Sequence, residues 1–220
     1  MKRKQNLTYL FDFDGTLVDS MPTFVSAMLG LLDKAHIPYG KDIVKIITPL
    51  GYGGTARYFR TLGLDVPEEE MVREMKRFAL DAYLHTIPEK TGVIETLRAL
   101  HERGDSLNIL TASPHEALDA CLERLGILPL FENVWSCEDF ATTKADPAIY
   151  RMAAERLGVP VGEVIFVDDN LGAITTAKEA GMRAFGIYDA TSEDLRPEME
   201  VVAERYLLRL DDLIERSPST

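Results

Sequence analysis

Cysteine is scarce: the chain carries two in 220 residues, Cys121 and Cys137, and their spacing matches neither a disulfide framework nor a paired metal-binding motif. That excludes a disulfide-stapled scaffold and fits a reducing compartment, so the expected location is cytoplasmic. Positive charge is also short, with 24 Lys and Arg against 36 Asp and Glu and a formal net charge of −12. Nucleic-acid binders show basic patches or stripes, so nucleic acid is excluded as a partner, and any anionic substrate must be held by a few local cations. No apolar run approaches the ~18 residues of a membrane span, and no membrane partner is expected. The basic start, Met1 to Lys4, leads into Gln5-Asn6 and lacks the apolar stretch and cleavage site of a signal peptide. Repeats and low-complexity tracts are absent, and only the tail Ser217-Pro218-Ser219-Thr220 reads as disordered. What remains is an ordinary globular composition, 46% hydrophobic and 27% charged, in a chain long enough to bury a sizeable core.

The most informative stretch is Thr8 to Ser20, TYLFDFDGTLVDS. Tyr9-Leu10-Phe11 is a short apolar run of the kind that makes a strand buried on both faces. Asp12 and Asp14 follow it, two apart, as though on one face of an extended chain. Burying an unpaired charge is costly, and two carboxylates ~4 Å apart repel by ~4 kcal/mol at an effective dielectric of 20. A bound Mg²⁺ would remove that cost, since it prefers carboxylate and phosphate oxygens. The same letters also suit an Asx-turn or a helix cap.

After this strand the pattern is helical for about seventy residues. Phe24, Met28, Leu31 and Ala35 fall on one helical face, and Asp42 to Ile47 forms a shorter segment interrupted by Pro49 and Gly51. A third helix is expected over Thr55 to Leu62, stopped at Gly63. Pro67 opens a fourth with Glu68, Glu69 and Glu70 in its first turn and Met71, Met75, Phe78 and Ala82 as its buried stripe. From Pro88 onward apolar runs alternate with helical segments: Leu107–Leu110, Val134-Trp135, Val164–Val167, Ala184–Tyr188 and Tyr206–Leu208. This alternation implies a parallel sheet covered by helices, with the all-helical module inserted after its first strand.

Three further polar signals follow buried runs. Thr111-Ala112-Ser113 precedes a helix start and offers either an anion site or a plain cap. Lys144 lies just before Asp146-Pro147, which read as the cap and first residue of a helix; it could neutralise a phosphoryl oxygen and an aspartate, or be a solvated lysine. Val164–Val167 runs straight into Asp168-Asp169-Asn170, a second carboxylate pair that completes the oxygen ligands of a Mg²⁺ site.

Asp12-Phe13-Asp14-Gly15-Thr16-Leu17-Val18-Asp19-Ser20, Thr111, Lys144 and Asp168-Asp169 together resemble the four signature motifs of the haloacid dehalogenase-like hydrolase superfamily, in its phosphoglycolate phosphatase and β-phosphoglucomutase-like branch. The resemblance implies an α/β fold: a Rossmann-like parallel sheet flanked by helices (residues 1–18 and 89–220) with a small all-helical cap domain (19–88) inserted after the first strand. It implies a Mg²⁺-dependent phosphatase acting on a small phosphorylated metabolite, with Asp12 as the nucleophile that becomes an aspartyl phosphate and Asp14 as general acid and base. Thr111 and the Ala112 N–H would hold phosphoryl oxygens, with Ser113 beside them, and Lys144 would offset charge. Asp12, the Asp14 carbonyl and Asp169 would bind the metal, with Asp168 contributing through water or directly. A dehalogenase is disfavoured, because those members lack an aspartate at the position of Asp14. Departures are small: Lys144-Ala145-Asp146-Pro147 has Ala where Pro is usual, and Asn170 follows Asp169 where many relatives read Gly-Asp. Specificity would lie in Ile46–Arg57, where Pro49–Gly54 is glycine-rich enough to bend over a substrate and Lys45 and Arg57 could grip an anionic leaving group. A phosphosugar mutase and a non-catalytic binding or regulatory member are the alternatives, and no core group is missing. The oligomeric state is not readable.

Overall fold

The computed structural model describes residues 6–214; the basic start and the Ser-Pro-Ser-Thr tail lie outside them. The chain divides into two compact units, one formed by the segments up to Asp19 and from Pro88 onward, the other by Ser20–Ile87. The first strand, β1 (Thr8–Phe11), belongs to the former.

The Ser20–Ile87 unit is all-helical: α1 (Met21–Lys34), α2 (Ile43–Ile47), a 3-10 turn at Thr48–Leu50, α3 (Gly51–Thr61) and α4 (Glu68–His85). Its core joins Met28, Leu31 and Leu32 of α1 to Ile43, Ile47, Ala56, Phe59, Met71 and Met75. Three expectations shift here. Ala35 falls just beyond α1 and is exposed. The α4 stripe is Met71, Met75, Ala79, Ala82 and Tyr83, whereas Phe78 is 50% exposed. α3 starts at Gly51, not Thr55, so Gly53-Gly54 is helical and not a free loop. Each glycine costs a helix about 1 kcal/mol relative to alanine, but at Gly54 a Cβ would stand 2.8 Å from that of Leu50. Packing, not flexibility, accounts for that glycine.

In the other unit the chain continues through α5 (Val93–Glu102), β2 (Ser106–Thr111), α6 (His115–Arg124), β3 (Asn133–Ser136), α7 (Pro147–Leu157), β4 (Val164–Asp168), α8 (Leu171–Ala180), β5 (Arg183–Ile187), α9 (Arg196–Val202) and β6 (Arg205–Leu207). The six strands form one sheet in the order β3-β2-β1-β4-β5-β6, and every pairing is parallel. Helices cover it, which is why all five residues of β4 can be buried. Phe166 packs edge-on against Tyr150 of α7, ring centroids 5.0 Å apart. Ala173, Ala177 and Ala180 keep α8 slim where it meets the sheet. Asn108, fully buried in β2, donates to the Tyr9 carbonyl and accepts from Asn133 at 2.8 Å. A one-residue slip of β1, β2 or β3 would strand those polar atoms.

Candidate active site

The strand order reverses between β1 and β4, and in open α/β sheets ligands bind beyond the carboxyl ends of the strands at such a point. β1 and β4 deliver carboxylates to it. The Asp12 amide donates to the Val167 carbonyl at 2.9 Å, which carries the β1–β4 pairing one residue past the strand and fixes where Asp12 begins. Asp12, Asp168 and Asp169 are all buried, and each offers an oxygen within 4.8 Å of the others. Lys144 reaches them from the loop before α7, with its Nζ 2.6 Å from Asp12 Oδ1 and 2.8 Å from Asp168 Oδ2. Asp146 caps α7 by accepting from the Ala148 amide at 2.9 Å, as its sequence position predicts.

Each carboxylate is held. The other Asp168 oxygen accepts from the Asn170 amide at 2.7 Å, and Asn170 caps α8 by accepting from the Ala173 amide, so Asn170 serves the helix start. Asp169 accepts from the Thr16 hydroxyl at 3.2 Å. Asp14 is half-buried and accepts from the Ser113 hydroxyl at 2.5 Å. Ser113 therefore directs its proton to Asp14, while its amide donates to Thr111 Oγ1 at 3.2 Å. Thr111 is buried and Ala112 exposed at the end of β2. Lys45 and Arg57 are exposed residues of the helical unit, on α2 and α3.

The turn between these groups depends on Gly15. Its φ of +73° is left-handed, and a Cβ there would sit 2.6 Å from Asp169 Oδ2, so a side chain is excluded twice over. The Gly15 amide closes the turn on the Val18 carbonyl at 3.0 Å.

The electrostatics are those of a crowded anionic pocket. Burial raises the Asp168 carboxyl to about 7, against the pull of Lys144 and with a further push from Asp12. Burial, and then the neighbouring Asp168, Asp12 and Asp189, raise Asp169 well above the carboxylate range. Burial alone would lower Lys144, but Asp12 and Asp168 outweigh it and hold the ammonium firmly charged. Three clustered carboxylates thus face one ammonium. The imbalance and the all-oxygen donor set fit a hard divalent cation.

Two groups outside the sequence motifs also support the site. The Tyr150 hydroxyl lies 3.0 Å from the Lys144 carbonyl and 3.1 Å from that of Ala173; its helical spacing marks it only as core. Lys90 donates to the Gly15 carbonyl at 2.5 Å, and nothing in Glu89-Lys90-Thr91 distinguishes it from a surface lysine.

A family model of haloacid dehalogenase-like hydrolases matches residues 7–181. A phosphoglycolate phosphatase of Salmonella typhimurium is 31% identical over 212 residues, with 85% of this chain and 83% of that protein covered. The pyrophosphatase PpaX of Bacillus velezensis is 29% identical over 188 residues, with 85% of each covered. Among solved structures, that of a candidate β-phosphoglucomutase from Thermotoga maritima superposes with a TM-score of 0.80 at 22% identity, covering 94% of this chain and 96% of the other; at that identity the likeness speaks for the fold. The matched span takes in Asp12, Asp14, Asp168 and Asp169, and the chain belongs to the haloacid dehalogenase-like hydrolase family.

Proposed function

We propose that this hydrolase is a Mg²⁺-dependent phosphatase that cleaves a small-molecule phosphomonoester, phosphoglycolate-like or a sugar phosphate, through an aspartyl phosphate on Asp12. The observation that carries the reading is the convergence of Asp12, Asp168 and Asp169 on one another, with Lys144 paired to Asp12 and Asp168, at the sheet's switch point. The relatives named as phosphatases support the reaction class. In this reading Asp12, Asp168, Asp169 and the Asp14 backbone carbonyl hold Mg²⁺, which when bound supplies the positive charge that lets an anionic phosphoryl group approach a carboxylate.

The chain's own groups then divide the work. A carboxylate oxygen of Asp12 bonds to phosphorus as the ester P–O bond breaks, and Asp14 gives its proton to the departing oxygen. Asp14, now ionised, takes a proton from a water whose oxygen bonds to phosphorus; the Asp12–phosphorus bond breaks and inorganic phosphate leaves. The Ser113 hydroxyl steers the Asp14 carboxyl by hydrogen bonding. Thr111 and the Ala112 N–H hold phosphoryl oxygens, and Lys144 offsets charge on them and on Asp12. The Ser20–Ile87 unit is assigned as the cap that selects the leaving group, with Lys45 and Arg57 as its cations.

The test is phosphate release from a panel that includes phosphoglycolate, hexose phosphates and pyrophosphate, each with Mg²⁺ and with a chelator. Metal-dependent release concentrated on one ester is the expected result. Conversion of a hexose 1-phosphate to its 6-phosphate isomer without release would transfer the same core to a mutase. No reaction with any compound would overturn the enzymatic assignment of these residues.

A further inference from the structure

Lysine heads normally stay in water, yet the Lys90 side chain is only 20% exposed. Its ammonium, with three protons to give, meets three acceptors: the Gly15 carbonyl at 2.5 Å, the Tyr188 carbonyl at 2.6 Å and Asp189 Oδ2 at 3.1 Å. Asp189 is itself a fixed post, 4% exposed, whose Oδ1 accepts from the Thr191 amide at 2.9 Å and hydroxyl at 2.6 Å. The Lys90 backbone is tied as well. Its amide donates to the Leu17 carbonyl at 2.9 Å, the Asp19 amide donates to the Pro88 carbonyl at 2.9 Å, and Val18 and Glu89 pair antiparallel. The segment leaving for the helical unit and the one returning from it thus form a short ribbon, and Lys90 pins its inner end to the turn that carries Asp14.

We infer that Lys90 is a positioning residue: by holding the Gly15 carbonyl against the end of β5, it sets the turn that presents Asp14 and backs Asp169. This rests on the roles proposed above for those two aspartates. A charged donor on a main-chain carbonyl is among the stronger hydrogen bonds, and Gly15 lies directly against the Asp169 carboxylate. Release of that carbonyl lets the turn drift. Misplacement of a catalytic group by ~1 Å can cost about 10²-fold in rate. At saturating Mg²⁺ the loss falls on kcat and not on KM, because the Asp14 carboxyl acts only in the bond-breaking steps.

The experiment compares wild type with Lys90→Met and Lys90→Gln, and with Arg103→Met as a control for lost stability. Arg103 bridges the buried Asp105 just ahead of β2, its Nε donating at 2.6 Å, away from the strands' carboxyl ends. Steady-state kinetics with p-nitrophenyl phosphate and Mg²⁺ are run well below every melting temperature, and amide hydrogen exchange is followed over residues 13–18. Expected for both Lys90 variants are a kcat about 10- to 100-fold lower, a KM within about threefold, and exchange of the Gly15 and Val18 amides at least about tenfold faster. Arg103→Met lowers the melting temperature and changes neither. A kcat within twofold of wild type, or an equal loss of kcat in Arg103→Met, overturns the inference, and so does unchanged exchange in the turn. If wild type turns over nothing while the turn loosens only in the Lys90 variants, the phosphatase reading fails and the positioning of the turn by Lys90 stands.

Discussion

Replacing Gly15 by alanine separates two costs that usually arrive together. The backbone cost is that of an L-residue at φ +73°, about 1 kcal/mol. The second cost is steric. The new Cβ would lie 2.6 Å from Asp169 Oδ2, 2.8 Å from its Cγ and 2.9 Å from Oδ1, whereas carbon contacts settle near about 3.5 Å. The whole carboxylate must therefore retreat by roughly 0.9 Å, in a pocket where Asp169 is 8% exposed. Overpacking of this kind costs about 2 kcal/mol. Gly158, at φ +71° with nothing within 4 Å of its would-be Cβ, is the matched control, because Gly158→Ala pays only the backbone term. The expected result is that Gly15→Ala melts roughly 4–8 °C below Gly158→Ala and binds Mg²⁺ about 10- to 100-fold more weakly by titration calorimetry, while Gly158→Ala binds it as wild type does. Equal melting temperatures and equal Mg²⁺ affinities in the two variants would refute the placement of Asp169 against Gly15.

Asp12→Asn should abolish turnover and leave the melting curve cooperative, since an amide oxygen still accepts from Lys144; activity within tenfold of wild type would remove Asp12 as nucleophile. Ser113→Ala frees Asp14 from its 2.5 Å partner and should lower kcat about tenfold, with Mg²⁺ affinity unchanged by calorimetry. His115 is raised by its hydrogen bond to Asp139, and Asp139 is lowered by His115 in spite of burial. The pair's contribution to stability should therefore be full below the unfolded histidine value of about 6.5 and fade as pH rises through the raised folded value; on the acid side it fades as pH falls below about 4. Melting temperatures of wild type and His115→Gln should differ most near pH 5, within the roughly 1 kcal/mol of a solvent-screened pair, and converge by pH 9.

The sheet was legible because each of its strands contains a short apolar run, and the clustered polar groups of the site were legible because they stand at the ends of those runs: Asp12 after Phe11, Asp168 at the end of β4, Thr111 at the end of β2. The helical unit was less so. The 3.6-residue period places Phe78 in line with Met71 and Met75, but the buried stripe runs on through Ala79, Ala82 and Tyr83, a choice made by neighbours distant in sequence. Glycine disfavours helix, so Gly51 to Gly54 reads as a loop, whereas it opens a helix whose Thr55, Ala56 and Phe59 are buried. The sequence places Ser113 beside an anion site, and in the fold its hydroxyl turns to Asp14. Lys90 left no trace in the sequence, since two of its three acceptors are main-chain carbonyls, which no side-chain pattern encodes.

The parallel sheet also sets an order in time. Thr16 and Asp169 touch, yet 153 residues separate them, and β1 lies between β2 and β4, both made long after it. At ~5–20 residues per second, synthesis of that stretch takes roughly 8–30 s. The helical unit is one continuous segment, Ser20–Ile87, with its main core cluster within Ala27–Met75, so it can condense on the ribosome while β1 still waits unpaired for its flanking strands. The acidic pocket is then among the last features to assemble, and a nascent chain shorter than about 170 residues carries the first aspartates without the second pair or the site they complete.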